Sequence, residues 1–169
     1  MKSLDLEGQV LETWRMNHEV TLRLLTAVPR KGLLLTQGSA ARHTRTLAQV
    51  FGHIHHVRVA WLRYMSRRHV AGLSRFPAGV VPARRALRSA LISSGNAIAT
   101  FLRDALHDRA AVKSFSRQPV RFMGYLISHE SHHRGQIAML LRQAGMRLPD
   151  EVAIRILWQR WYWPQKSSS

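Results

Sequence analysis

The segment HESHHRGQ, His129 to Gln136, places three of the chain's ten histidines within five residues. A second set, HIHH from His53 to His56, lies well upstream. A neutral imidazole offers an in-plane lone pair, and histidine is the commonest protein donor to borderline divalent metal ions. His129 and His133 stand at i and i+4. On a helix that spacing stacks two rings one turn apart and aims them at one point, as the paired histidines of a zinc-protease helix are aimed. Two ligands rarely suffice, so a second element should supply a third.

The apolar neighbours indicate which way each ring faces. In the downstream segment Leu126, Ile137, Leu140 and Ala144 form an inward stripe. His129 follows Leu126 by three and His133 precedes Ile137 by four, which places both on that stripe. His132 falls on a flank with Ser128 and Gln136, and Arg134 on the far face. Upstream, Ile54, Val57 and Trp61 mark the stripe. His53 lies about a quarter-turn from its centre, His55 further round, and His56 outward. His53 is thus the first choice for the third ligand and His55 the reserve.

His18 lies on the stripe of an earlier helix. It either approaches the same centre or is a polar core residue. Glu130 has three readings: orienting a ligand, acting as general base towards metal-bound water, or pairing with an arginine. With no cysteine and few carboxylates in the chain, a site of neutral imidazoles favours an ion such as Zn²⁺ or Ni²⁺. Three histidines leave coordination positions open to water or substrate, the pattern of a catalytic rather than a structural site.

Helices must position these rings, and helical periodicity dominates the chain. Leu11 to Val28 reads as the first helix, with Leu11, Trp14, His18, Leu22 and Leu25 on one face, stopped by Pro29. The second runs from about Ser39 to Arg68. The third spans Ala83 to His107, with Leu87, Ala90, Leu91, Ser94, Ile98, Phe101 and Ala105 inward. The fourth begins at Pro119, which suits a first helical turn. It ends near Ala144, with Gly145 as the C-terminal cap. Asp150 then caps a short fifth helix through Trp163. Such elements predict an all-α chain: a single domain over 1–169, built as a four-helix bundle with a short C-terminal helix. The connections are long enough for crossovers.

Composition sets the outer limits. A 46% hydrophobic content argues against a disordered chain. The absence of cysteine excludes disulfides and thiolate sites and fits a reducing cytoplasm. The start, MKSLDLEGQVLE, carries acids where a secretory signal has an apolar core. No apolar run reaches the roughly 20 residues that a bilayer span needs. The chain therefore reads as soluble and cytoplasmic. Its 26 basic residues against 9 acids give a net charge of +17, which predicts a non-specific affinity for nucleic acid at low salt and a pull on a low-molecular-weight thiol or other small anionic substrate. No DNA-reading motif accompanies the charge, and the arginines are dispersed along every segment.

LISHESHHRGQIAMLLRQAGMRLP, Leu126 to Pro149, resembles the fourth-helix signature of the DinB family of DinB/YfiT-like metalloenzymes. ETWRMNHEVTLRLL, Glu12 to Leu25, resembles its first helix, with Trp14 and Asn17 matching. FGHIHHVRVAWL, Phe51 to Leu62, is similar to its second, and ILWQRWYW to its tryptophan-bearing tail. The resemblance covers nearly the whole length. It implies a four-helix bundle of unusual connectivity, a homodimer, and a divalent metal held by His53, His129 and His133. Nickel or zinc is the implied ion, with manganese a further option. It also implies thiol-dependent transferase or isomerase chemistry, in which the metal activates a low-molecular-weight thiol. With open coordination positions for thiol or water, the chain reads as a metal-dependent enzyme, a thiol S-transferase or a small hydrolase. The competing expectation is a non-catalytic binding protein that uses the arginine-rich surface for nucleic acid.

Overall fold

The computed structural model of the chain describes residues 5–36 and 44–162. Its main elements are α1 (Leu6–Ala27), α2 (Leu47–Met65), a single-turn α3 (Arg67–Val70), α4 (Arg84–Leu106) and α5 (Pro119–Gln143). No strand occurs among the described residues. No described helix is long and apolar enough to cross a membrane.

Local chemistry accounts for most helix ends. Asp5 accepts the Gly8 amide at 2.8 Å and caps α1. Thr46 and Gln49 form a reciprocal capping box that starts α2. α2 therefore begins at Leu47, with Thr44 and Arg45 non-helical, and not near Ser39, which lies outside the described residues. It also ends earlier than expected: Ser66 is extended (ψ 111°) and separates α2 from α3. Pro119 opens α5, and Gly145 takes the left-handed conformation (φ 71°) just beyond it. The guanidinium of Arg84 donates to the carbonyls of Leu25, Thr26 and Val28, satisfying the open end of α1. The short C-terminal helix is present as a π-helix over Glu151–Ile156, followed by a 3-10 turn over Gln159–Trp161. Asp150 does not cap it; the carboxylate accepts from Arg147 at 2.7 Å instead. Trp163 lies outside the described residues.

α1 and α2 each pack against both α4 and α5. The early part of α1 shares one apolar cluster with the late parts of α2 and α4 and the early part of α5, as Leu11, Trp14, Leu62, Phe101 and Leu126 show. The opposite ends share the other cluster, through Leu24, Phe51, Leu91, Ile137 and Leu141. α1 and α5 thus run one way, α2 and α4 the other. The parallel pair α2 and α4 needs a crossover, which residues 66–83 provide.

Between the two apolar clusters lies a buried polar layer. Asn17 and Thr21 from α1, Arg58 from α2, Ser94 from α4, and Glu130 and Arg134 from α5 are all buried. Its position corrects several expected helix faces. Asn17 and Thr21 are buried on α1, while His18 and Leu22 are only partly so. On α2 the buried line is Ile54, Arg58 and Leu62, and Val57 and Trp61 sit beside it. Just past α5 Ala144 is exposed, and on α5 Arg134, expected on the far face, is 6% exposed. Hydrophobicity alone locates the stripe by its apolar members. Here charged residues occupy its centre, four residues apart.

Candidate metal centre

His53 on α2 and His129 and His133 on α5 meet at the edge of the polar layer. The His129 Nε2 lies 3.3 Å from the His53 Nε2 and 3.2 Å from the His133 Nε2. These are the only described His, Asp, Glu or Cys side chains that meet as a group able to hold a metal ion. All three are half-buried at the flank of the core face.

Gln136 fixes one ring. Its Oε1 accepts from the His133 Nδ1 at 2.8 Å, and its Nε2 donates to the His132 Nε2 at 2.9 Å. An amide oxygen only accepts, so the His133 proton sits on Nδ1 and its Nε2 presents a lone pair. Tyr125, one turn before His129, stacks on that ring at 6.0 Å and 25°. Tyr125 in turn packs on Phe115 and Trp61, so an aromatic wall backs the site.

Burial lowers the pKa of all three rings. His53 is brought down to about 4 by burial and then by the Arg45 charge. His129 is lowered by burial and then by His133, and His133 by burial, against an opposing bond from Gln136. At neutral pH the rings are uncharged and each offers a lone pair. A proton on the His129 Nε2 could serve one of its two close neighbours, not both. A cation at the centre serves all three. Two imidazole nitrogens on a tetrahedral ion at about 2.0–2.1 Å stand about 3.3 Å apart, and the observed separations of 3.2 and 3.3 Å match that span. The donor set fits a divalent metal.

The other sequence candidates lie elsewhere. His55 is buried, and its Nε2 pairs with the Ser74 carbonyl at 2.8 Å, away from the cluster. His56 does not point outward: it is half-buried, and its Nε2 accepts the Phe76 amide at 2.8 Å. His18 stays outside the group as well. Its Nδ1 accepts from Arg58 at 3.2 Å, and its ring fills the space that a side chain on Gly95 would need, 2.4 Å from the place of a Cβ. His132 is exposed.

Glu130 is neither an open base nor a ligand. It is fully buried, and Arg58 donates to both its oxygens at 2.7 Å. Asn17 and Thr21 donate to Oε2 at 2.9 and 3.0 Å. Burial alone would push this carboxyl up, but Arg58 and then Arg134 hold it below the ordinary glutamate value. Arg58 also donates to the Leu91 carbonyl at 3.1 Å and lies over the Trp14 ring at 5.1 Å. Arg134 donates to Asn17 Oδ1 and Thr21 Oγ1, both at 2.9 Å. Of the three readings of Glu130, pairing with an arginine is the one the structure shows. The network ties α5 to α1 and α2 beside His129, so it holds the register of the helices that carry the histidines.

The model of the DinB family matches residues 1–161. No curated protein matches the chain. With the fold and the histidine cluster in agreement, the chain belongs to the DinB family.

Proposed function

We propose that His53, His129 and His133 bind one divalent metal ion through their Nε2 atoms, and that the chain is a metal-dependent enzyme. The observation that carries this is the convergence of three neutral ring nitrogens, two contacts being 3.2 and 3.3 Å, with the His133 tautomer fixed by Gln136. Zn²⁺ or Ni²⁺ suits an all-imidazole set, with Mn²⁺ the weaker fit. Three protein ligands leave positions for an exogenous thiol or water, whose pKa the metal lowers. The reaction class is thiol S-transfer or small hydrolysis. Glu130 supplies no proton relay, because its oxygens are committed to Arg58. The protein is proposed to act as a cytoplasmic homodimer.

The test is turnover. Metal-loaded protein should accelerate conjugation of a small thiol to an electrophile, or hydrolysis of an activated ester or amide. Chelator treatment or His129→Ala should abolish the acceleration. Equal rates in all three preparations would reject the enzymatic reading. The competing reading, nucleic-acid binding through the +17 surface, predicts affinity that collapses with salt and ignores the histidine substitutions.

A further inference from the structure

A cleft of about 990 Å³ opens beside His53, between the start of α2 and the crossover loop. Arg45, His53, His56, Arg75, Phe76 and Gly79 are among the residues that line it. No carboxylate does. The reason lies in the sequence: between Glu19 and Asp104 the chain contains no acidic residue, and the whole lining comes from that stretch. Arg45 and Arg75 are exposed, and neither makes a hydrogen bond or ion pair among the described residues. Several other arginines are engaged: Arg58 holds Glu130, Arg68 pairs with Asp104, Arg84 closes α1. The two in the cleft are not.

The cleft and the histidine cluster share a wall. His53 belongs to both. Burial is the first cause of the low pKa of His53, His56 and His133, and the Arg45 charge contributes to each, so this guanidinium lies within electrostatic reach of the cluster. His56 accepts the Phe76 amide on Nε2; its ring is therefore neutral with the proton on Nδ1, a further donor. Two free guanidinium forks, an imidazole N–H and no competing acid make a lining suited to an anion and hostile to a cation.

We infer that this cleft is a recognition subsite for a small molecule bearing a carboxylate or phosphate group, held by Arg45 and Arg75 so that the rest of the molecule reaches the His53 edge of the histidine cluster. It rests on the metal reading only for what the far end of the ligand meets; the anion subsite stands on the cleft itself. It adds a substrate class to that reading: anionic small molecules rather than neutral ones.

The test titrates the full chain, metal-stripped and then metal-loaded, with succinate, with inorganic phosphate and with neutral succinamide, followed calorimetrically at low salt. One of the two anions should bind at least about tenfold more tightly than succinamide in the stripped protein. Arg45→Gln and Arg75→Gln should each weaken that anion by about fivefold or more, whereas Arg15→Gln, an exposed charge on α1, should leave it unchanged. Raising salt should weaken binding progressively. Equal binding of succinamide, or equal losses in Arg15→Gln and Arg45→Gln, would overturn the subsite and leave only a diffuse charge effect. A single-stranded oligonucleotide that binds where neither small anion does would overturn it in favour of a nucleic-acid surface. The two proposals fail separately: anion binding without metal binding removes the metal centre alone, and metal binding without anion preference removes the subsite alone.

Discussion

Gln136 and His133 stand three residues apart on α5, and the amide oxygen of one takes the Nδ1 proton of the other at 2.8 Å. That bond points the His133 lone pair at the His129 and His53 nitrogens. Outer partners of this type are worth about 10–100-fold in metal affinity. Gln136→Leu should therefore weaken metal binding by about that factor. His132→Ala, which removes only the exposed partner on the other side of the amide, should change it little. A competition titration against a chromophoric chelator measures both, and an unchanged affinity in Gln136→Leu would show that the bond does not set the tautomer.

The buried Arg58–Glu130 pair makes a different prediction. Removing one member strands the other in the core, which costs about 3–5 kcal/mol. Glu130→Gln and Arg58→Met should each lower stability by that order in urea unfolding. The double variant Arg58→Met with Glu130→Gln removes the paired charges together and should lose less than the sum of the singles, with Arg134 still held by Asn17, Thr21 and Ser131. A double variant as unstable as the sum of the singles would mean that Arg58 and Glu130 act independently.

His18 carries a pH prediction. Its pKa is lowered from 6.5 to about 4 by burial and then by Arg58. Its Nδ1 accepts from Arg58, so protonation would lose an acceptor and set two cations together. With the folded value below the unfolded one, the unfolded chain takes up the proton first. Stability is thus full above pH 6.5 and falls as pH drops towards about 4. The contribution is on the order of 3 kcal/mol at its limit. His18→Gln keeps an acceptor for Arg58 and does not titrate. The difference in unfolding free energy between wild type and His18→Gln, in metal-stripped protein, should shift across that window. Parallel curves from pH 7.5 to 4.5 would contradict the assignment.

Much of this was legible in the residues. The i, i+4 pair on α5, Pro119 and Gly145 at its ends, and the four long helices follow from spacing and breakers. His53 rather than His55 was the first choice on α2; two residues of helix turn the rings about 200° apart, so His53 meets His129 while His55 turns to the Ser74 carbonyl. The polar layer was not legible. Asn17, Thr21, Arg58 and Arg134 lie on buried faces, but a period traced through apolar residues steps around them. The signal was present in the arithmetic: Leu126, Glu130, Arg134 and Ile137 continue one line at four- and three-residue steps. Only their partners, contributed by two other helices, make that line tolerable inside a core. The start of α2 was misplaced for a simpler reason. Thr46 and Gln49 are a capping box in the sequence, and the polar residues before them were read as helix.

The most direct measurement is the stoichiometry and affinity of Zn²⁺ or Ni²⁺ in the purified full chain, compared with His53→Ala, His129→Ala, His133→Ala and His55→Ala. A three-histidine centre gives one ion per chain, a loss of at least about 100-fold in affinity for each of the first three variants, and retained binding in His55→Ala folded to the same extent as wild type. Absence of a stoichiometric ion in the wild type, or binding that survives His129→Ala and His133→Ala, would contradict it.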